Sequence, residues 1–256
     1  MRDVEQLREL IEAHLAELAL SPELGGLEEA VRYPLQAGGK RIRPVLCLAA
    51  AEAAGGSAER ALPAAAAVEL VHAFSLVHDD LPALDDDDER RGRASAHVAF
   101  GEAAALLAGD ALLAEAFRLA LAYDTPAVAR ELAAATVTMI GGQYLDVTGD
   151  DADLARVHRL KTGALLVASV GCGLAAAGVP EPEQHPWRAF AAELGLLFQV
   201  VDDILDGDGY AARLGVEAAR ALAAEAAATA ARRLEEVPAD TTVLREIVDG
   251  LAVRTA

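Results

Sequence analysis

Apolar side chains along this chain recur at intervals of three and four residues, the period of an α-helix rather than the alternation of a strand. Alanine and leucine dominate and β-branched runs are short, so local propensity agrees with the period. The chain is expected to be all-α. The spacing predicts helices over Val4–Leu18, Leu27–Gln36, Arg43–Ala54, Pro63–Asp80, Ala96–Leu121, Pro126–Thr148, Asp151–Ala177, Pro186–Leu205, Ala211–Glu235 and Thr241–Val253. Turn signals such as Gly25-Gly26, Gly38-Gly39, Gly55-Gly56-Ser57 and Val179-Pro180-Glu181-Pro182 separate them, and none is long enough for an interdomain linker. Residues 1–256 therefore read as one domain. The uncharged run from Ala164 to Val179 is short of the roughly 20 residues that span a bilayer, and it carries three glycines. It reads as a buried core helix.

Charge narrows the function. The chain has 22 Lys and Arg against 41 Asp and Glu, a net charge of −19, which disfavours nucleic acid or an anionic membrane surface as partner. Cys47 and Cys172 lie far apart without metal-ligand spacing, and the first residues, MRDVEQLRELIEAHL, are charged where a signal peptide is apolar. A reducing, cytoplasmic location is the expectation.

Two acidic clusters stand out. HDDLPALDDDDERRGR, residues 78–93, places six aspartates within the ten positions from Asp79 to Asp88 and sets Arg90, Arg91 and Arg93 behind them. Two carboxylates about 4 Å apart at an effective dielectric near 20 repel by roughly 4 kcal/mol, so gathering them calls for cations, protons or water. Leu81-Pro82 is expected to end the helix that carries Asp79 and Asp80, because a residue before proline avoids helical geometry. A loop then delivers Asp85. The second cluster is FQVVDDILD, residues 198–206, where Asp202 and Asp206 share a helix face with Cβ atoms roughly 6 Å apart, Asp203 lies beside them, and the neighbours are apolar. All candidate ligands are oxygens, which favours a hard divalent ion, magnesium above zinc, completed by phosphate.

Cations complement these acids. GGKRIRP, residues 38–44, joins two glycines to Lys40, Arg41 and Arg43 and reads as an anion site. Arg90 and Arg91 can reach phosphate oxygens through forked donors. His72, seven residues before Asp79, lies on the same helix face. Only two lysines occur in the chain, Lys40 and Lys161, so each invites a specific reason.

Taken together, GGKRIRP, the aspartate motif at 79–85 with its trailing RRG, GGQYLD at 141–146, KTG at 161–163 and FQVVDDILD form one ordered series. The series resembles the trans-isoprenyl diphosphate synthases, the farnesyl and geranylgeranyl diphosphate synthase family. The resemblance implies an all-α bundle of about ten or more helices around a central cavity, usually a homodimer, with the two aspartate motifs facing each other at the mouth. It implies Mg2+, three ions per site once substrate is bound, held by Asp79, Asp85 and Asp202 with Asp80, Asp203 and Asp206 in support. Arg90, Lys161, Thr162 and Gln199 are implied as the allylic diphosphate's other contacts, and Lys40, Arg43, His72 and Arg91 as the isopentenyl diphosphate site. Asp79, Asp85, Arg90, Lys161 and Asp202 are the implied catalytic set.

The reaction implied is condensation of isopentenyl diphosphate with an allylic diphosphate. Phe74, five residues before Asp79 and roughly 7.5 Å deeper along the helix, is expected as the floor that stops the growing chain at farnesyl diphosphate; geranylgeranyl diphosphate is the alternative product. A non-catalytic subunit of a heteromeric synthase and a terpene cyclase are the rival readings, opposed by the intact acidic motifs and by Lys40, Arg43 and His72. Two departures from the family pattern stand out. Ala94-Ser95 replaces the usual proline and threonine, and GDGYAARLG follows Asp206 without the lysine-bearing loop that closes on the allylic diphosphate. Either that clamp is lacking, or a flexible loop belongs after Asp206 that this sequence does not carry.

Overall fold

The computed structural model describes residues 1–36, 38–149 and 153–255. Its helices are α1 (Val4–Ala16), α2 (Glu28–Gln36), α3 (Ile42–Ala53), α4 (Ala58–Asp79), α5 (Ala96–Phe100), α6 (Glu102–Ala120), α7 (Ala127–Thr148), α8 (Leu154–His158), α9 (Ala164–Ala177), α10 (His185–Asp206), α11 (Gly209–Leu214), α12 (Val216–Glu235) and α13 (Thr242–Ala252). The architecture is all-α, with one two-residue hairpin, β1 (Glu89–Arg90) and β2 (Arg93–Ala94).

Local chemistry explains where the elements begin and end. Asp3 opens α1 with a reciprocal capping box to Gln6. Ser57 caps α4 by accepting from the backbone N–H of Arg60, so the helix starts at Ala58 rather than at the expected Pro63. The single helix expected over Ala96–Leu121 is two, because Gly101 takes φ 87° and ψ 153°. Gly215, at φ 85° and ψ 151°, likewise divides the helix expected over Ala211–Glu235. Only glycine enters that region freely. The expected start at Asp151 lies outside the described residues; from Leu154 the helical path runs through a π-helical turn, Arg159–Gly163, into α9.

The core follows from the small side chains. α9 packs among α3, α4, α7 and α10, α4 lies along α6 and α3, and α10 lies along α12. α4 and the run Leu154–Ala177 are long and apolar enough to cross a membrane, but most of the apolar window of each is buried against other helices of this fold. The run from Ala164 accordingly forms a core helix, α9, buried along most of its length from Leu165 to Ala176.

One ionic cluster sits deep in this packing. Arg41 adopts φ 45° at the entry to α3 and turns inward. Its guanidinium donates to Glu69 on α4 at 2.6 Å, to Glu12 on α1 at 2.8 Å and to the Leu35 carbonyl. The Arg41 and Glu69 side chains are 1% and 5% exposed. Truncating Arg41 would leave Glu69 as an uncompensated buried charge. Arg41→Ala is therefore expected to lower unfolding free energy by about 3–5 kcal/mol, measured by urea denaturation, with Glu69→Gln/Arg41→Met recovering part of the loss.

Candidate active site

α4 ends at Asp79, with Asp80 as its C-cap, and the following loop returns Asp85 to it: the Asp85 N–H donates to the Asp79 carbonyl at 2.9 Å. The loop closes through the hairpin, whose two turn residues, Arg91 and Gly92, both have positive φ, the geometry of a tight two-residue turn. This aims neighbouring arginines in different directions. Arg90 donates to Asp80 through Nε at 2.9 Å and to Asp87 at 2.9 Å, while Arg91 reaches the Gly38 carbonyl at 2.5 Å. The basic turn and the acidic loop are thereby tied together.

Between α4 and α10 lies a polar cavity of about 620 Å³ bordered by Lys40, Arg43, His72, Arg90, Arg91, Thr162, Gln199 and Asp202. It thus collects residues from four separate sequence motifs. Arg43 is buried with its guanidinium 5.5 Å from the Phe198 ring centroid, and its Nε has no partner. One Arg43 N–H lies 3.4 Å from His72 Nε2. Arginine only donates, so Nε2 accepts and the ring hydrogen sits on Nδ1. Burial, reinforced by Arg43 and Arg91, holds the His72 pKa well below its ordinary value, so the ring is neutral.

An adjoining cavity of about 460 Å³ shares Arg43, His72, Leu76 and Thr162 with the first. Asp79, Lys161 and Gln143 stand at its polar side, and Phe74, His78, Met139, Ile140, Tyr144 and Leu165 make it chiefly apolar. Lys161 rides on the π-helical turn and donates to Asp146 of the GGQYLD segment at 2.6 Å. That turn can approach α7 because position 142 is glycine: a Cβ there would lie 2.4 Å from the Lys161 backbone nitrogen. The pairing with Asp146 and the need for Gly142 give two parts of this motif a physical reason that its sequence did not reveal. The Gln143 amide of the same motif, to which the sequence assigned no individual role, also lines the cavity, and both of its polar atoms are buried and unpartnered.

The motif aspartates divide by role. Burial pushes the Asp79 carboxyl up to about 6, against the nearby Lys161 and with the help of Asp85 and Asp80. Burial also raises Asp202, countered chiefly by Lys40. Asp85 and Asp206 are exposed. Asp80 is buried against Arg90. Asp203 is buried too, accepting from Gln199 at 2.7 Å and from the Tyr210 N–H at 2.7 Å, and so pins the short connection from α10 to α11. Among the described residues, no three His, Cys, Asp or Glu side chains converge to hold an ion unaided. The available set, Asp202 on the cation-rich cavity and Asp79 on the adjoining one, suits a hard divalent ion whose other ligands are water and phosphate.

Comparison with known proteins agrees with this geometry. A family model described as polyprenyl synthetase matches residues 25–250. The chain is 44% identical over 194 residues to a geranylgeranyl diphosphate synthase of Cyanophora paradoxa, covering 70% of this chain and 64% of that protein. It is 41% identical over 204 residues to a farnesyl diphosphate synthase of Bacillus subtilis, covering 74% and 69%. The matched part thus spans about two thirds of these relatives' length, and slightly less of the first. The crystal structure of an FPP/GFPP synthase from Zymomonas mobilis superposes with a TM-score of 0.86 at 32% identity, covering 97% of each chain.

The raised Asp79 pKa makes a testable statement about stability. Its folded value, about 6, exceeds the unfolded 3.8, so the charged form is penalised by folding. The penalty is absent below the unfolded value and complete above the folded one. In chelator, Asp79→Asn is expected to raise the thermal midpoint at pH 7.5 and to leave it nearly unchanged at pH 3.5; an equal shift at both would contradict this.

Proposed function

The chain belongs to the polyprenyl synthetase family, and from that premise we propose that it is a trans-prenyltransferase joining isopentenyl diphosphate to an allylic diphosphate. The observation that carries the reading is the pair of adjoining cavities. One is lined by cations suited to a diphosphate, the other is chiefly apolar and suited to an isoprenoid tail, and Thr162 borders both while Asp79 and Lys161 stand on the apolar one.

Lys40, Arg43 and Arg91, with neutral His72, hold isopentenyl diphosphate through its phosphates. Arg90, Lys161, Thr162 and Gln199 orient the allylic diphosphate. Arg90 is preset by Asp80, so little side-chain freedom remains to be lost when phosphate arrives. Asp79, Asp85 and Asp202, with Asp206, are the residues that would hold Mg2+. Held there, Mg2+ would supply positive charge to offset that of the departing diphosphate. When the allylic carbon–oxygen bond breaks, the diphosphate leaves with the electron pair and the terminal double bond of isopentenyl diphosphate attacks the resulting cation. A carbon–carbon bond forms, and a proton passes to the released diphosphate. The apolar walls around Phe74, Met139 and Leu165 keep water from the cation.

Farnesyl diphosphate is the product we assign, because Phe74 is buried and borders the apolar cavity below Asp79. The relatives' names divide between farnesyl and geranylgeranyl diphosphate synthases, which makes geranylgeranyl diphosphate the alternative. A second copy of the chain is the assigned partner, supported by the exposed Leu106, Leu107, Val137, Ile140 and Tyr144 on α6 and α7. A reducing compartment, the cytoplasm, accords with Cys47 and Cys172 being free and buried.

Purified protein incubated with isopentenyl diphosphate and dimethylallyl or geranyl diphosphate is expected to turn over only with Mg2+. Asp79→Ala and Asp202→Ala should each lower the rate by about a hundredfold or more; near-normal turnover in either variant, or in excess chelator, would sink the ligand assignment. Phe74→Ala is expected to move the product distribution from farnesyl towards longer chains, read by chromatography of the dephosphorylated alcohols.

A further inference from the structure

His78 has no part in the chemistry above, yet its ring borders the apolar cavity beside Phe74. The two are one helical turn apart on α4 and stack edge to face, with centroids 4.9 Å apart and planes at 73°. His78 Nε2 lies 3.0 Å from the Leu106 carbonyl on α6. A carbonyl only accepts, so Nε2 carries the hydrogen and donates it. Directly behind the ring stands Gly109 of α6. A Cβ at that position would lie 2.1 Å from Nε2 and 2.2 Å from Cδ2, far inside any real contact. The imidazole therefore fills a notch that exists only because residue 109 has no side chain.

We infer that His78, seated in the Gly109 notch, is a second determinant of product length, acting as a positioning residue for Phe74. The inference rests on the reading of the apolar cavity as the tail site. A phenylalanine ring stops a growing chain only if it cannot swing aside. His78 fixes one side of the Phe74 ring, and α6 fixes His78 through the Leu106 carbonyl and the bare backbone at Gly109. A methyl group at position 109 displaces the imidazole, and the open direction is the cavity itself. Removing the imidazole has the opposite effect: it enlarges the cavity and releases the edge contact that holds Phe74.

The test compares product lengths from His78→Ala, Gly109→Ala, the double variant and Phe74→Ala, with isopentenyl and geranyl diphosphates as substrates and circular dichroism confirming the fold. His78→Ala is expected to raise the ratio of geranylgeranyl to farnesyl product by about tenfold. Gly109→Ala should shorten the distribution, leaving geranyl diphosphate poorly elongated. In the double variant that shortening should disappear, since no ring remains to be displaced. A purely structural role for His78 lowers total rate and leaves the distribution unmoved. If Phe74→Ala lengthens the product while His78→Ala and Gly109→Ala both keep the parental distribution, the inference is overturned and the tail-site reading stands. If Phe74→Ala also changes nothing, or no condensation occurs, that reading falls and takes the inference with it. Should Gly109→Ala fail to fold, His78→Ala and the double variant decide by the same criteria.

Discussion

Like charge in a low-dielectric setting is the constraint on which this structure turns. Asp79 and Asp202 sit part-buried near the C-terminal ends of α4 and α10, where burial disfavours their charged forms. Lys161 offsets the first and Lys40 the second. Each lysine is delivered by an unusual piece of backbone: Lys161 by a π-helical turn, and Lys40 by the turn between α2 and α3 that Arg41 anchors from beneath. π-turns inside α-helices often mark functional positions because they re-aim a side chain without ending the helix. The two lysines in an otherwise arginine-based set of cations thus occupy equivalent posts, each answering one acidic helix end.

The acidic motifs look uniform as text but are not uniform as structure. Asp80 and Asp203 immediately adjoin Asp79 and a true cavity-facing neighbour, Asp202, yet both are sequestered. Asp80 fixes Arg90, and Asp203 fixes Gln199 and the start of α11. Each aspartate pair therefore splits into one carboxylate on a cavity wall and one that holds a neighbouring polar side chain in place. Helical geometry favours this division: adjacent residues project about 100° apart, so one member of a pair can line a cavity while the other turns to a neighbouring side chain. The same reasoning separates Arg41 from Lys40 and Arg43. The middle residue of that basic run borders the same cavity but commits its guanidinium to Glu69 and Glu12.

Much of the design was legible along the chain. The apolar period announced the helices, Leu81-Pro82 announced the end of α4, and the ordered motifs announced which residues meet. Helix starts and breaks were less legible. Ser57 extended α4 by a turn that Pro63 concealed, and Gly101 and Gly215 divided helices whose apolar period runs on through them. A glycine permits positive φ without demanding it, so periodicity alone does not reveal whether one bends the chain.

The sequence by itself determined the all-α class, the two acidic helix ends and the identity of the cations that answer them, because period and spacing are properties of a single element. Only the tertiary structure decided which aspartate of each pair faces the cavity, that Lys161 pairs with Asp146, and that His78 rests in the gap at Gly109. These depend on how closely two helices approach. Such distances are set by side-chain volumes on both helices at once and are written in neither alone.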